Sequence, residues 1–159
     1  MDKEFIENKK RTFSKGSIEY VNMAGIRPDI MEERHIRFVM PVDPLHLNHV
    51  GTAYAGSIFT MAEIAGGNLF SCTYGQDYVP VLKAVEVRYL KPTKHDLVVD
   101  IALTEEEAAE KIQLAAERGR GDYFLDISVM DSEGVQVAEA HFNYYAFTAE
   151  KIKEFGSGK

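Results

Sequence analysis

The chain is poor in the residues that staple a fold or span a bilayer. Of 159 residues, one is cysteine (Cys72), five are proline and none is tryptophan. A lone cysteine excludes an internal disulfide and fits a reducing compartment. No apolar run approaches the roughly 20 residues needed to cross a membrane. The opening stretch MDKEFIENKKRTF is charged throughout and lacks the apolar core of a secretory signal. A cytoplasmic protein without a membrane partner is therefore expected. Positive charge is also scarce: 18 Lys and Arg stand against 25 Asp and Glu, a net charge of −7. Such a chain repels a phosphodiester backbone, and no basic patch offsets the repulsion, so nucleic acid is not an expected partner. The histidines form no HxxxH or HxH pair, and neither a metal nor another cofactor is expected. No G-x-S-x-G nucleophile elbow, internal repeat or flexible linker is present.

What is present is a globular composition, 45% hydrophobic and 27% charged, in a length that suits one domain. We read residues 1–33 as a helical lead-in, 34–148 as the domain and 149–159 as a frayed tail. Within the lead-in, a short helix and then a turn near Arg27-Pro28 are expected. A strand follows over 35–40. The loop PVDPLHLNHVGTAYAG leads into an apolar segment from Gly56 to Cys72, whose Ile58, Met61, Ala62, Ala65 and Leu69 recur at helical spacing. This predicts a buried helix, apolar nearly all round. Strands are then predicted over 79–90, 96–103, 123–130 and 135–147. The alternation is clean at Leu97, Val99, Ile101 and Leu103, at Tyr123, Leu125, Ile127 and Val129, and at Ala138, Ala140, Phe142 and Tyr144. Asp131-Ser132-Glu133-Gly134 is a hairpin turn signal. Thr104 and Glu107 form a capping box at the head of an alanine-rich helix before the third of these strands. One buried helix among five strands is an α+β arrangement in which a curled antiparallel sheet covers the helix and leaves an edge or face for a partner subunit.

The chemistry concentrates between His46 and Glu63. A polar loop feeds the N-terminus of the buried helix, where backbone N–H groups are free and the helix dipole is positive. Such a terminus polarises a carbonyl and stabilises an oxyanion. Ala55 and Gly56 are small enough to admit an acyl group against their backbone, and Asn48 can donate a further hydrogen bond or orient the loop. Glu63 is the one charge inside the apolar helix. It is either a solvent-facing or salt-bridged residue, or a general base or nucleophile with a raised pKa. It lies eight residues beyond Ala55, about 12 Å along the axis. One carbonyl cannot touch both within one helix, so joint action requires two antiparallel helices from different subunits. Gly66-Gly67, one turn further on, would let a neighbouring chain or ligand come close. His46 is expected chiefly to stabilise the loop, and Cys72 to be a small core residue. Arg88, Lys91 and Lys94 offer a basic cluster at a strand end, either a phosphate rim or a solvated edge. Arg118 and Arg120, alternating with Gly119 and Gly121, mark either a helix stop and turn before a strand or part of a cationic rim for phosphates.

These residues resemble the signature of hotdog-fold thioesterases. In the phenylacetate-pathway type it runs His-x-Asn-x-x-Gly-x-x-His-Gly-Gly, with Asp seven residues after the last Gly. His46, Asn48, Gly51 and Gly56 match, and Glu63 stands at the carboxylate position. The resemblance covers residues 35–147. It implies a curved antiparallel sheet wrapped around one long helix, dimers formed sheet edge to sheet edge, and tetramers in some members. It also implies action on an acyl thioester of CoA or acyl-carrier protein. Catalytic roles fall to Glu63, Asn48, Ala55 and Gly56, and substrate contacts to Tyr54, His46, Gly51, Arg88 and Lys91. Two positions depart from the pattern. Tyr54-Ala55 replaces His-Gly, although a backbone N–H survives at Ala55. Glu63 replaces Asp, as in a branch resembling one type of hydroxybenzoyl-CoA thioesterase. The variant Asn-x-x-Gly-Thr-x-x-Ala-Gly is similar to a divergent thioesterase-like subgroup, part of whose wider group decarboxylates malonyl thioesters. Decarboxylation and non-catalytic acyl-CoA binding are thus the alternatives to hydrolysis.

Overall fold

The computed structural model describes residues 3–13 and 18–156. Six strands form one antiparallel sheet in the order β1-β2-β4-β5-β6-β3. They are β1 (Arg27–Glu32), β2 (His35–Met40), β3 (Tyr78–Tyr89), β4 (Leu97–Ala102), β5 (Arg120–Asp131) and β6 (Gln136–Thr148). The helices are α1 (Lys3–Thr12), α2 (Glu19–Met23), α3 (Ala55–Tyr74), α4 (Glu105–Arg118) and α5 (Ala149–Gly156). None of the described helices is long and apolar enough to cross a membrane.

The central helix α3 buries Ile58, Met61, Ala62, Ile64, Ala65, Leu69, Phe70 and Cys72. It touches β2 and β4 on one side and β5 and β3 on the other. One helix can reach strands so far apart in the sheet order only if the sheet curls around it. This is the hotdog architecture.

The strand alternation read from sequence sets the inner face. Tyr123, Leu125, Ile127 and Val129 of β5, with Ala138, Ala140, Phe142 and Tyr144 of β6, are all buried. Their registers bring Tyr123 opposite Tyr144 and Leu125 opposite Phe142. Such cross-strand aromatic pairs are the stabilising units of a sheet. The turn after Asp131 closes as anticipated, with Asp131 N–H donating to the Val135 carbonyl (2.8 Å) and Gly134 at φ 81°.

Two expectations about the chain ends are corrected. The segment around Arg27-Pro28 is not a turn after the lead-in helix but the start of β1, so the sheet has six strands rather than five. Proline is tolerated there because β1 is an edge strand, and its register shifts between Pro28 and Ile30. The C-terminal segment is the helix α5 rather than a frayed tail. Its start is held by Ala149 N–H donating to the Asp77 carbonyl (2.8 Å) and Lys151 N–H donating to Thr148 Oγ1 (3.3 Å). Residues 157–159 of that expected tail lie outside the described residues.

Candidate active site at the head of the central helix

The loop that delivers the chain to α3 is built from hydrogen bonds the motif residues make to one another. His46 is buried. Its Nε2 lies 2.9 Å from the Ala24 carbonyl oxygen, so that nitrogen carries the proton and donates. Its Nδ1 lies 3.3 Å from the Asp43 backbone nitrogen and 2.9 Å from the Asp43 carboxylate. The His46 carbonyl accepts from Tyr54 N–H (2.7 Å). His46 therefore pins both ends of the loop.

Asn48 closes the inner turn. Its Oδ1 accepts from the N–H groups of Val50 (3.0 Å) and Thr52 (3.1 Å), and its Nδ2 donates to Thr52 Oγ1 (2.9 Å). Gly51 supplies the positive φ of 76° that the turn requires. Of the two uses of Asn48 expected from sequence, the geometry displays loop orientation. On the far side, Ala53 N–H donates to the Thr93 carbonyl (2.8 Å), while Thr93 Oγ1 donates to the Asp131 carboxylate (2.8 Å).

This scaffold presents the first turn of α3 with no side-chain cap. Ser57 and Ile58 N–H donate to the Tyr54 carbonyl (2.9 and 3.1 Å). The N–H groups of Ala55 and Gly56 precede them and, by helix geometry, have no acceptor within the helix. Ala55 and Tyr54 are exposed. The Tyr54 ring lies over Gly56, where a Cβ would come within 2.5 Å of it. A larger residue at 56 would have to displace the exposed ring of the tyrosine that stands where the resemblance places histidine. Tyr89, which sequence reading did not single out, donates its hydroxyl to the Ala55 carbonyl (3.1 Å). Burial and the neighbouring Tyr54 push its pKa up.

Glu63 lies on the one side of α3 that the fold leaves uncovered. Gly56, Thr60, Glu63 and Gly67 are partly exposed, whereas most of their neighbours on the helix are buried. Their spacing of three and four residues puts them in one stripe. Among the described residues no donor or cation pairs with the Glu63 carboxylate, and desolvation raises its pKa. Its main-chain carbonyl accepts from the Tyr144 hydroxyl (3.3 Å). Tyr144 rests in the notch at Gly66, where a Cβ would collide with its hydroxyl. Gly66 therefore makes room for the chain's own Tyr144, not for a ligand or neighbouring subunit. A methyl group added at Gly67 would meet nothing within 4 Å, so this position stays open.

The remaining candidates are scattered. Arg88 points to the outer sheet surface and pairs with Glu139 (2.7 Å). Lys91 and Lys94 are exposed on the connection whose Thr93 holds Ala53, close to the motif loop. Arg118 and Arg120 flank Gly119, the left-handed C-cap of α4 at φ 75°, which is the helix stop read from sequence. Cys72 is fully buried, and burial pushes its thiol up to about 11, which makes it a core residue and a poor nucleophile. Among the described residues, no group of three or more His, Cys, Asp or Glu is placed to hold a metal ion.

Comparison with known proteins agrees with this architecture. A protein of unknown function from Pseudomonas aeruginosa, named a probable thioesterase, is 31% identical, with 89% of this chain and 95% of that chain covered at a TM-score of 0.81. A Haemophilus influenzae thioesterase shares the fold at 18% identity, TM-score 0.67, covering 91% of each chain. A hypothetical thioesterase from Streptococcus pneumoniae, solved with coenzyme A, shares it at 18% identity and TM-score 0.60, covering 77% of this chain and 86% of that one. No curated protein matches the sequence. Fold and motif together define a hotdog protein of the thioesterase-like type. Within that class the chain belongs to the family described as a domain of unknown function, DUF4442, whose model matches residues 9–146.

Proposed function

We propose that the protein hydrolyses an acyl thioester, carried on CoA or on acyl-carrier protein, at a site shared between two subunits. The observation that carries this reading is the Glu63 carboxylate. It is half-buried, without a partner among the described residues and raised in pKa, on the same open stripe of α3 as the uncapped first turn. The N–H groups of Ala55 and Gly56 would hold the carbonyl oxygen as charge develops on it. Glu63 of the partner subunit would take the proton of the attacking water, or attack the carbonyl itself. The thiolate leaves in either case and is protonated; after direct attack, water then hydrolyses the acyl-glutamyl anhydride to the free acid and regenerates the carboxylate.

A dimer follows from the spacing of Ala55 and Glu63 along one helix, and the long edge strand β3 beside α3 is the surface on which we place the partner. Lys91 and Lys94 flank Thr93, whose carbonyl holds Ala53 of the loop, and would face the phosphates of the carrier. Two comparisons support the choice of substrate: the relative named a probable thioesterase and the fold neighbour solved with coenzyme A.

The test is thiol release from a panel of acyl-CoAs, malonyl-CoA and acyl-carrier proteins, with Glu63→Gln beside the wild type. We expect the variant to lose 10²- to 10⁴-fold in rate, about the contribution of a positioned general base. Full activity in Glu63→Gln would remove this residue from the mechanism. Carbon dioxide release from a malonyl thioester without free thiol would replace hydrolysis with decarboxylation, which needs the same carbonyl contacts but no base. Stoichiometric binding without turnover would leave an acyl-CoA-binding module.

A further inference from the structure

We infer that the acyl chain of the substrate lies in an apolar groove between α2 and the first two turns of α3, and that Met23 and Tyr20 set the chain length accepted. This rests on the thioester reading above, because it starts from a carbonyl held at Ala55 and Gly56. The first carbon of the chain is bonded to that carbonyl, so the chain must leave along one flank of α3.

One flank is lined by aromatic side chains. Phe59 packs on Phe142 with ring centroids 6.5 Å apart, and Tyr89 is tied to the Ala55 carbonyl (3.1 Å). The other flank opens into a cavity of about 70 Å³ bounded by Tyr20, Met23, Met40, Leu45, Ser57 and Thr60. Ser57 and Thr60 lie one and four residues beyond Gly56, so the cavity begins within a turn of the carbonyl site.

The walls select hydrocarbon. Of the polar side chains that border the cavity, Ser57, Thr60 and His46 are engaged elsewhere, and the Tyr20 hydroxyl is the remaining polar group, at the exposed mouth. Ser57 Oγ donates to the His46 carbonyl (3.4 Å), Thr60 Oγ1 donates to the Gly56 carbonyl (2.9 Å), and the His46 ring is bound to Ala24. A polar ligand would find few partners and would lose its hydration. Met40 forms a fully buried floor, and methionine adapts its shape to a flexible chain. At the mouth, Tyr20, Met23 and Leu45 are 62%, 61% and 62% exposed. Large apolar side chains clustered at a cavity mouth mark a binding surface. The cavity holds about two carbons of the chain, at the ~30 Å³ a water molecule takes in the liquid. The rest of the chain would lie on Tyr20 and Met23.

The experiment measures binding of 2-oxoalkyl thioethers of CoA and of pantetheine, which keep a carbonyl but have no thioester bond to hydrolyse. The alkyl part is lengthened stepwise, and titration calorimetry is run on wild type, Met23→Lys and Tyr20→Lys. Both side chains are solvent-exposed, so neither change disturbs the core. We expect wild-type affinity to rise about fourfold per methylene over the first several carbons, and the rise to flatten in both variants. An unchanged rise in both variants would overturn the groove and leave the thioester reading intact. If both variants instead alter the oligomeric state in sedimentation while the rise persists, the patch is a seat for a second copy and the proposal fails. Chain-length-dependent binding by a wild type that releases no thiol would support the groove while removing hydrolysis. No binding of any thioether would overturn both.

Discussion

The chain contains two long helices whose first turns contrast sharply. Helix α4 begins with a complete reciprocal cap: Thr104 Oγ1 accepts from Glu107 N–H (3.1 Å), and the Glu107 carboxylate accepts from Thr104 N–H (2.8 Å). Those hydrogen bonds hold the Glu107 carboxyl below its usual range. Helix α3 begins with Tyr54, which offers no side-chain cap, and with the two small residues Ala55 and Gly56. Capping satisfies donors that would otherwise go to water, typically stabilising by about 1 kcal/mol. Leaving them open at α3, on the same stripe as a glutamate without a partner among the described residues and next to an apolar cavity, forgoes that stability, and in the proposed mechanism a ligand uses the same donors. One terminus serves the fold, and the other, in the proposed mechanism, receives the carbonyl oxygen.

The sharpest way to break this comparison is Ala55→Pro. Proline suits the first position of a helix, and Tyr54 already has the extended conformation (φ −68°, ψ 139°) that a following proline demands. The substitution removes the Ala55 N–H and little else. We expect thiol release to fall about 10²- to 10³-fold, the usual loss for one oxyanion donor, with Tm nearly unchanged. Equal activity in the variant would transfer the carbonyl contact away from Ala55.

Gly66→Ala separates site from scaffold in the opposite sense. The added methyl meets the Tyr144 hydroxyl and Ile127 Cδ1, so we expect a loss of ~1–3 kcal/mol in denaturant unfolding from overpacking. Adding Tyr144→Phe should restore part of it, because the clashing atom is the hydroxyl. Failure of that rescue would show that Ile127 or the helix backbone bears the strain.

Thr104→Ala, at the capped terminus, should cost about 1 kcal/mol of stability and leave thiol release within twofold. A large activity loss would show that the two helix ends are not independent.

The smallest effect concerns pH. Glu63 has a raised pKa in the folded protein because burial disfavours its charge. The folded state therefore holds its proton to higher pH than the unfolded state does. Stability from this group is full below the unfolded pKa and is lost as pH rises through the folded one. Glu63→Gln should accordingly raise Tm at neutral pH by ~1–3 °C, and the gain should vanish under acidic conditions. A variant less stable than wild type at neutral pH would indicate that the carboxylate has a favourable partner in the assembly.

Much of this was legible in the sequence because it depended on local rules. Thr104 and Glu107 are three residues apart, so their reciprocal cap could be read directly. The alternation of β5 and β6 follows from the twofold period of a strand with one buried face. The loop signature from His46 to Glu63 reads as a unit because its residues bond chiefly to one another or through nearby backbone. β1 was missed because Pro28 is an ordinary turn signal, and only its place at a sheet edge makes it acceptable in a strand. α5 was missed because short polar helices take their stability from what receives them, here the Asp77 carbonyl. The ties from Tyr89 to Ala55 and from Tyr144 to Glu63 span 34 and 81 residues, and no periodicity encodes such a pairing.

By itself, then, the sequence determined the secondary elements with strong local period, the buried character of α3 and the identity of the residues at its head. The tertiary structure decided which faces of those elements remain open. Curling the sheet covers most of α3 and leaves the stripe of Gly56, Thr60, Glu63 and Gly67 partly exposed. It also consumes the Gly66 notch internally and sets α2 against the first turns of α3. The physical reason is that exposure is a property of packing between distant segments: a residue's neighbours in sequence fix its conformation, whereas its neighbours in space fix what it can still bind.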